Sequence, residues 1–161
     1  MAEQLHISHS ADKSIRYTAL LPQIEALIDP SAGTTANIAN IIAALKQTFE
    51  WLWIGVYMVR NDQLELGPFQ GPIACTRIGH GKGVCGSSWA QSKTIIVPDV
   101  EAFPGHIACS SASRSEIVVP IFTGENCIGV IDADSIDLNH FDTTDQQYLE
   151  AIAKIIGKLY A

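Results

Sequence analysis

Apolar residues recur at three- and four-residue steps in two early stretches of the chain. Leu20, Leu21, Ile24, Leu27 and Ile28 predict a helix over 14–28, which Pro22 either kinks or opens. Asp29-Pro30-Ser31-Ala32-Gly33 breaks it, and Ile38, Ile41, Ile42, Leu45 and Phe49 predict a second helix over 35–49. Residues 51–59 are apolar at nearly every position and rich in aromatic and branched side chains, which predicts a strand covered on both faces. Asn61-Asp62 turns the chain into a return strand over 64–69. A glycine-rich connection follows to residue 86, then a short helix over 87–91, a strand over 94–97 and an irregular loop over 98–113. Two apolar runs, 117–122 and 127–133, flank Thr123-Gly124-Glu125-Asn126 and read as a hairpin. Thr143 with Gln146 suggests a capping box for a last helix, whose stripe is Leu149, Ile152, Ala153, Ile156, Leu159 and Tyr160. Hairpins outnumber crossover units, so the expected fold is α+β, a largely antiparallel sheet with helices packed mainly on one side.

The 161 residues suit a single domain over 1–161, and 47% hydrophobic against 17% charged residues exclude a disordered chain. A formal charge of −7 with no basic run argues against nucleic acid as a partner. No apolar run approaches a membrane span, and the N-terminal stretch lacks the basic start and apolar block of a secretory signal. The expected location is the cytoplasm.

The hairpin carries candidate chemistry. Alternation places Asp132 and Asp134 on one face of its second strand. With the turn centred near 125, Glu116 falls opposite Asp134, so three carboxylates converge at one sheet end. Crowded like charges cannot all ionise, and at least one acid keeps a proton near neutral pH. The alternatives are three separate surface acids, or a magnesium or calcium site, for which no ligand loop of the D-x-D-x-D-G kind is present.

Cys75, Cys85, Cys109 and Cys127 include no C-x-x-C pair. Cys127 lies inside an apolar strand and reads as a core thiol. Cys75 and Cys85 sit in the glycine-rich connection, Cys85 near a helix start able to lower its pKa. Cys109 lies seven residues before Glu116. Inert thiols, a reactive set, and an irregular zinc site drawn from Cys75, His80, Cys85, His106 and Cys109 all fit; the zinc spacings match no familiar finger. In a reactive set, one thiolate accepts an oxygen to become a sulfenic acid, a second thiol condenses with it, and an external dithiol restores both.

The stretches WIGVYMV, GPIACTRIGHGKGVCGSSWAQ, VPDVEAFPGHIACSSASRSEIVVPIF and GVIDADS closely resemble the free methionine-(R)-sulfoxide reductase family, an enzymatic branch of the GAF domain. The resemblance runs from about Ala36 to the C-terminus. It implies a GAF-like fold, reduction of free methionine-(R)-sulfoxide, and thioredoxin as reductant; no cofactor or metal is expected. It also implies Cys109 as nucleophile, Cys75 as resolving thiol and Cys85 as the third family cysteine. Glu116, Asp132 and Asp134 match the family's substrate-binding acids, Glu116 and Asp134 also serving catalysis, and Trp53 the aromatic that packs on the substrate methyl. GAF domains often pair through terminal helices, which makes a homodimer a further expectation. A non-catalytic small-molecule-binding GAF module and a thiol peroxide sensor are the rival functions.

Overall fold

A computed structural model describes residues 4–107 and 109–161; the first three residues of the N-terminal stretch and Ala108 of the loop over 98–113 lie outside these. Asp12 caps α1 (Lys13–Ala26), its carboxylate accepting from the Ser14 N–H, and Pro22 is held inside the helix. Then come α2 (Thr34–Phe49), β1 (Trp53–Arg60) and β2 (Gln63–Gln70). Asn61 and Asp62, which join β1 to β2, both have positive φ, the backbone that matches a hairpin turn to strand twist.

The glycine-rich stretch holds more structure than its composition suggests. It contains β3 (Arg77–Gly79) and the first half of α3 (Gly83–Gln91), which begins four residues before the expected start. Glycine is required there for packing: a Cβ on Gly86 would stand 2.3 Å from the Gly79 carbonyl oxygen. Propensity at Gly83 and Gly86 opposes a helix, and close approach to β3 overrides it. Next are β4 (Ile95–Val97), a 3-10 turn at Val100–Ala102, β5 (Ser115–Thr123), β6 (Asn126–Ser135) and α4 (Thr143–Lys158).

The six strands run β3-β2-β1-β6-β5-β4 and pair antiparallel throughout. Ile54 and Val56 of β1, Ile117 and Val119 of β5 and Ile131 of β6 face α1, α2 and α4, where they meet Tyr17, Ile24, Ile41 and Ile152. The opposite face carries Trp53, Tyr57, Val118 and Val130 beneath α3 and the long loops. Burial from both sides explains why β1 shows no alternation. Three long helices thus share one side as expected, and α3 stands alone on the other.

Two local readings need correction. The cap of α4 is Asp142, not Thr143: its carboxylate accepts from the Thr144 and Asp145 N–H groups, and Asp145 accepts from the Asp142 N–H. An ionised N-cap also sits well against the helix dipole. Cys127 is a half-buried thiol at the turn end of β6, not a core residue, because the β5–β6 register shifts at Ile121/Phe122 beside it.

Asp145 also fastens α1 to the domain. It is 1% exposed, accepts from Lys13 Nζ at 2.6 Å and the Tyr17 hydroxyl at 2.8 Å, and so joins residues more than 120 positions apart. Asp145→Ala leaves the Tyr17 hydroxyl and the half-covered Lys13 ammonium without this acceptor. The expected cost is about 3 kcal/mol, read as a lowered urea midpoint at unchanged slope.

Candidate active site

Antiparallel register builds the floor of the site. Trp53 of β1 pairs with Asp134 of β6, Asp134 with Glu116 of β5, and Glu116 with Val97 of β4, so one row crosses four strands. The next row on that face joins Gly55, Asp132 and Val118. Gly55 leaves room for the indole, since a Cβ there would lie 2.5 Å from Trp53 Cη2. Trp53 packs on Phe69 and Tyr57 at centroid distances of 5.4 and 5.9 Å, and its Nε1–H donates to the Pro72 carbonyl.

Two loops cover this floor. The β2–β3 connection brings in Cys75, held where the Tyr57 hydroxyl donates to its carbonyl oxygen at 3.0 Å. The segment before β5 brings in Cys109, whose thiol donates to the Cys75 sulfur at 2.6 Å. Cys109 is exposed and Cys75 half-buried, which leaves the pair open to a partner from outside. The first turn of α3 forms the third wall, with Gly83, Val84 and the buried Cys85. The unfilled space between these walls, counting solvent at the open mouth, is about 540 Å³. All seven residues singled out in the sequence except Cys75 line it, and Cys75 touches it through Cys109.

All three acids are raised, as expected of the cluster, but burial is the larger cause and crowding the smaller. Burial raises Glu116 and Asp132 well above the carboxylate range, and the Asp134 charge adds to both. Asp134 rises to about 6, mainly by burial, while the Ser113 hydroxyl that donates to it and the nearby His106 pull the other way. The cluster therefore stores protons at neutral pH. Burial, then the hydrogen bond with Cys75, pushes Cys109 up to about 12, so it rests as a thiol. Cys85 reverses its expected shift. It lies in the first turn of α3, but burial and the charges of Asp132 and Glu116 raise its pKa strongly, outweighing any helix-dipole effect.

Three further groups belong to the site. Tyr57 shares the Trp53 face of β1 four positions on, a signal visible in alternation alone. His106 Nε2 lies 3.5 Å from Glu116 Oε2, and the sequence offered it only as a zinc ligand. Ser113 becomes relevant only through the loop's path, which no spacing reveals. The zinc set of Cys75, His80, Cys85, His106 and Cys109 is not what the fold collects as donors; among the described residues these are Cys85, Glu116 and Asp132.

Holding these acids costs stability, with a definite pH sign. An acid with a raised folded pKa binds its proton more tightly folded than unfolded. Its contribution is whole at low pH and is lost as pH rises from about 4 through its folded value. Asp132→Asn removes one such group and supplies N–H donors for Glu116. We expect Tm to rise by a few degrees at pH 8 and by less at pH 5, checked by paired thermal melts.

The GAF domain family matches residues 35–159, and that match with the curled antiparallel sheet makes the chain a GAF domain. Its relatives narrow the class. GAF domain-containing protein A of Dictyostelium discoideum is 55% identical, covering 97% of this chain and 99% of its own. Free methionine-R-sulfoxide reductase of Saccharomyces cerevisiae is 39% identical, covering 98% of this chain and 92% of its own. The free methionine-R-sulfoxide reductase of Neisseria meningitidis, whose X-ray structure is of a complex with its substrate, superposes with a TM-score of 0.92 at 53% identity, covering 98% of this chain and 95% of that one. The chain belongs to the free methionine-R-sulfoxide reductase family, a group of oxidoreductases built on the GAF domain.

Proposed function

We propose that this protein reduces free methionine-(R)-sulfoxide to methionine with Cys109 as nucleophile, Cys75 as resolving thiol and thioredoxin, in the cytoplasm, as the final reductant. The observation that carries this reading is the paired Cys109 and Cys75 sulfurs above proton-bearing acids, in a cavity walled by Trp53 and Tyr57.

The substrate methyl lies in the aromatic slot, and its carboxylate meets the N–H groups of Gly83, Val84 and Cys85, which no side chain caps. The ammonium of a free amino acid takes the negative charge that the cluster retains. A methionine inside a peptide has an uncharged amide there, which accounts for preference for the free form. A neutral acid of the cluster protonates the sulfoxide oxygen, and the Cys109 thiol gives its proton to the cluster as its sulfur attacks the substrate sulfur. The oxygen leaves with Cys109 as a sulfenic acid: the substrate sulfur gains two electrons and the Cys109 sulfur loses two. Cys75 displaces that oxygen as water and forms the disulfide, which the dithiol reductant opens.

The test is NADPH consumption with thioredoxin, its reductase and the separate free epimers. Turnover of the R form alone supports the reading. Saturable binding without turnover points to a ligand module, and oxidation of Cys109 by peroxide with no methionine formed points to a sensor.

A further inference from the structure

The proposed reaction leaves Cys85 without a chemical role, yet Cys85 is buried against two acids. Its Sγ, a Glu116 oxygen and an Asp132 oxygen all lie within 4.8 Å of one another. Asp132 is 7% exposed, lines the cavity, and its Oδ1 is fully buried without a hydrogen-bond partner. A buried carboxylate oxygen in this state is costly, and it marks a place where a ligand would restore a missing contact. We propose that the cavity floor is an inhibitory site for a thiophilic divalent cation of the zinc type, held by Cys85 Sγ, Glu116 and Asp132, which excludes the sulfoxide while bound.

The donor set and charge both favour such an ion. Zn–S near 2.3 Å and Zn–O near 2.0 Å in a tetrahedron place donors about 3.3–3.5 Å apart, so the three groups close by about 1.5 Å at most. The fourth position opens to the cavity. A thiolate among carboxylates selects zinc or cobalt over magnesium or calcium. A dication also relieves the repulsion that keeps these acids protonated. Binding displaces the Cys85 proton and any protons on the two carboxyls; nothing is oxidised or reduced. It thereby occupies the proton store and the substrate's place together.

The competing site is the Cys75–Cys109 pair, whose adjacent sulfurs form an obvious chelate. Anaerobic titration of the reduced protein with cobalt(II) separates the two. The wild type should bind one equivalent with a thiolate-to-cobalt charge-transfer band, displaced by zinc. Cys85→Ser and Cys85→Ala, both checked for native circular dichroism, should lose the band and weaken affinity by about 100-fold or more, whereas Cys75→Ser and Cys109→Ser keep it. Asp132→Asn should keep the band and bind at least about tenfold more weakly. No band in the wild type, or one that survives Cys85→Ser and vanishes in Cys75→Ser or Cys109→Ser, overturns the site. The inhibition arm rests on the proposed function: in single-turnover methionine release, zinc should raise the substrate concentration needed without lowering the rate at saturation. Non-competitive loss overturns the exclusion. A cobalt site in a protein that releases no methionine removes the proposed function and leaves the metal site standing.

Discussion

Cys109→Ser protein should release no methionine from free methionine-(R)-sulfoxide, even once, with the rate lowered about 10⁴-fold or more. Removal of a covalent nucleophile takes away the bond-forming atom itself, and losses of this order follow. Cys75→Ser should behave differently: one methionine per chain without reductant, then arrest, because the sulfenic acid on Cys109 has lost its nearest thiol. Small dithiols such as dithiothreitol attack the exposed Cys109 directly and should restore cycling to Cys75→Ser, whereas thioredoxin should not. The measurement is methionine released per chain, with and without each reductant. Full first-turnover release by Cys109→Ser, with loss in Cys85→Ser instead, would move the nucleophile to Cys85. The geometry argues against that exchange: Cys85 is buried against the acids with a strongly raised pKa, while Cys109 stands at the open side beside Cys75.

What could be read from the sequence follows from local rules. The Glu116–Asp134 pairing came from the hairpin's turn and strand alternation, both local, and the register has that pair. The nearly unbroken apolar run of β1 announced burial on both faces, and the sheet carries an apolar cluster on each side. The glycine-rich segment was opaque because glycine is there for contact: Gly86 lets α3 lie on β3, and Gly55 and Gly71 cradle the Trp53 indole. Composition records such a need only as a loop. The Cys75–Cys109 approach was equally hidden. Those residues are 34 positions apart in two irregular segments, and only the crossing of both loops over the sheet end joins them. The shift of Cys85 was misjudged because position in a helix's first turn is local, whereas the burial and acids that oppose it come from β5 and β6.

The acid cluster makes the second large prediction, and its direction is set by which groups hold protons. kcat/KM should trace a bell. Below about pH 6, Asp134 takes up a proton, the cluster loses the charge that binds the substrate ammonium, and KM rises. At higher pH the last stored proton leaves Glu116 and Asp132, no acid remains to protonate the sulfoxide oxygen, and kcat falls. Asp134→Asn should lower kcat/KM by about 10²–10³-fold, since it removes a binding charge and a hydrogen-bond partner at the reacting oxygen. It should also change the shape of the curve. The acidic limb near 6 disappears with its titrating group. The alkaline limb moves to lower pH, because the Asp134 charge is one of the forces holding Glu116 and Asp132 protonated, and an amide exerts no such repulsion. A merely structural Asp134 would scale the whole curve down without moving either limb. An alkaline limb that stays in place in Asp134→Asn would show that the stored proton does not depend on the crowding of these three carboxyls.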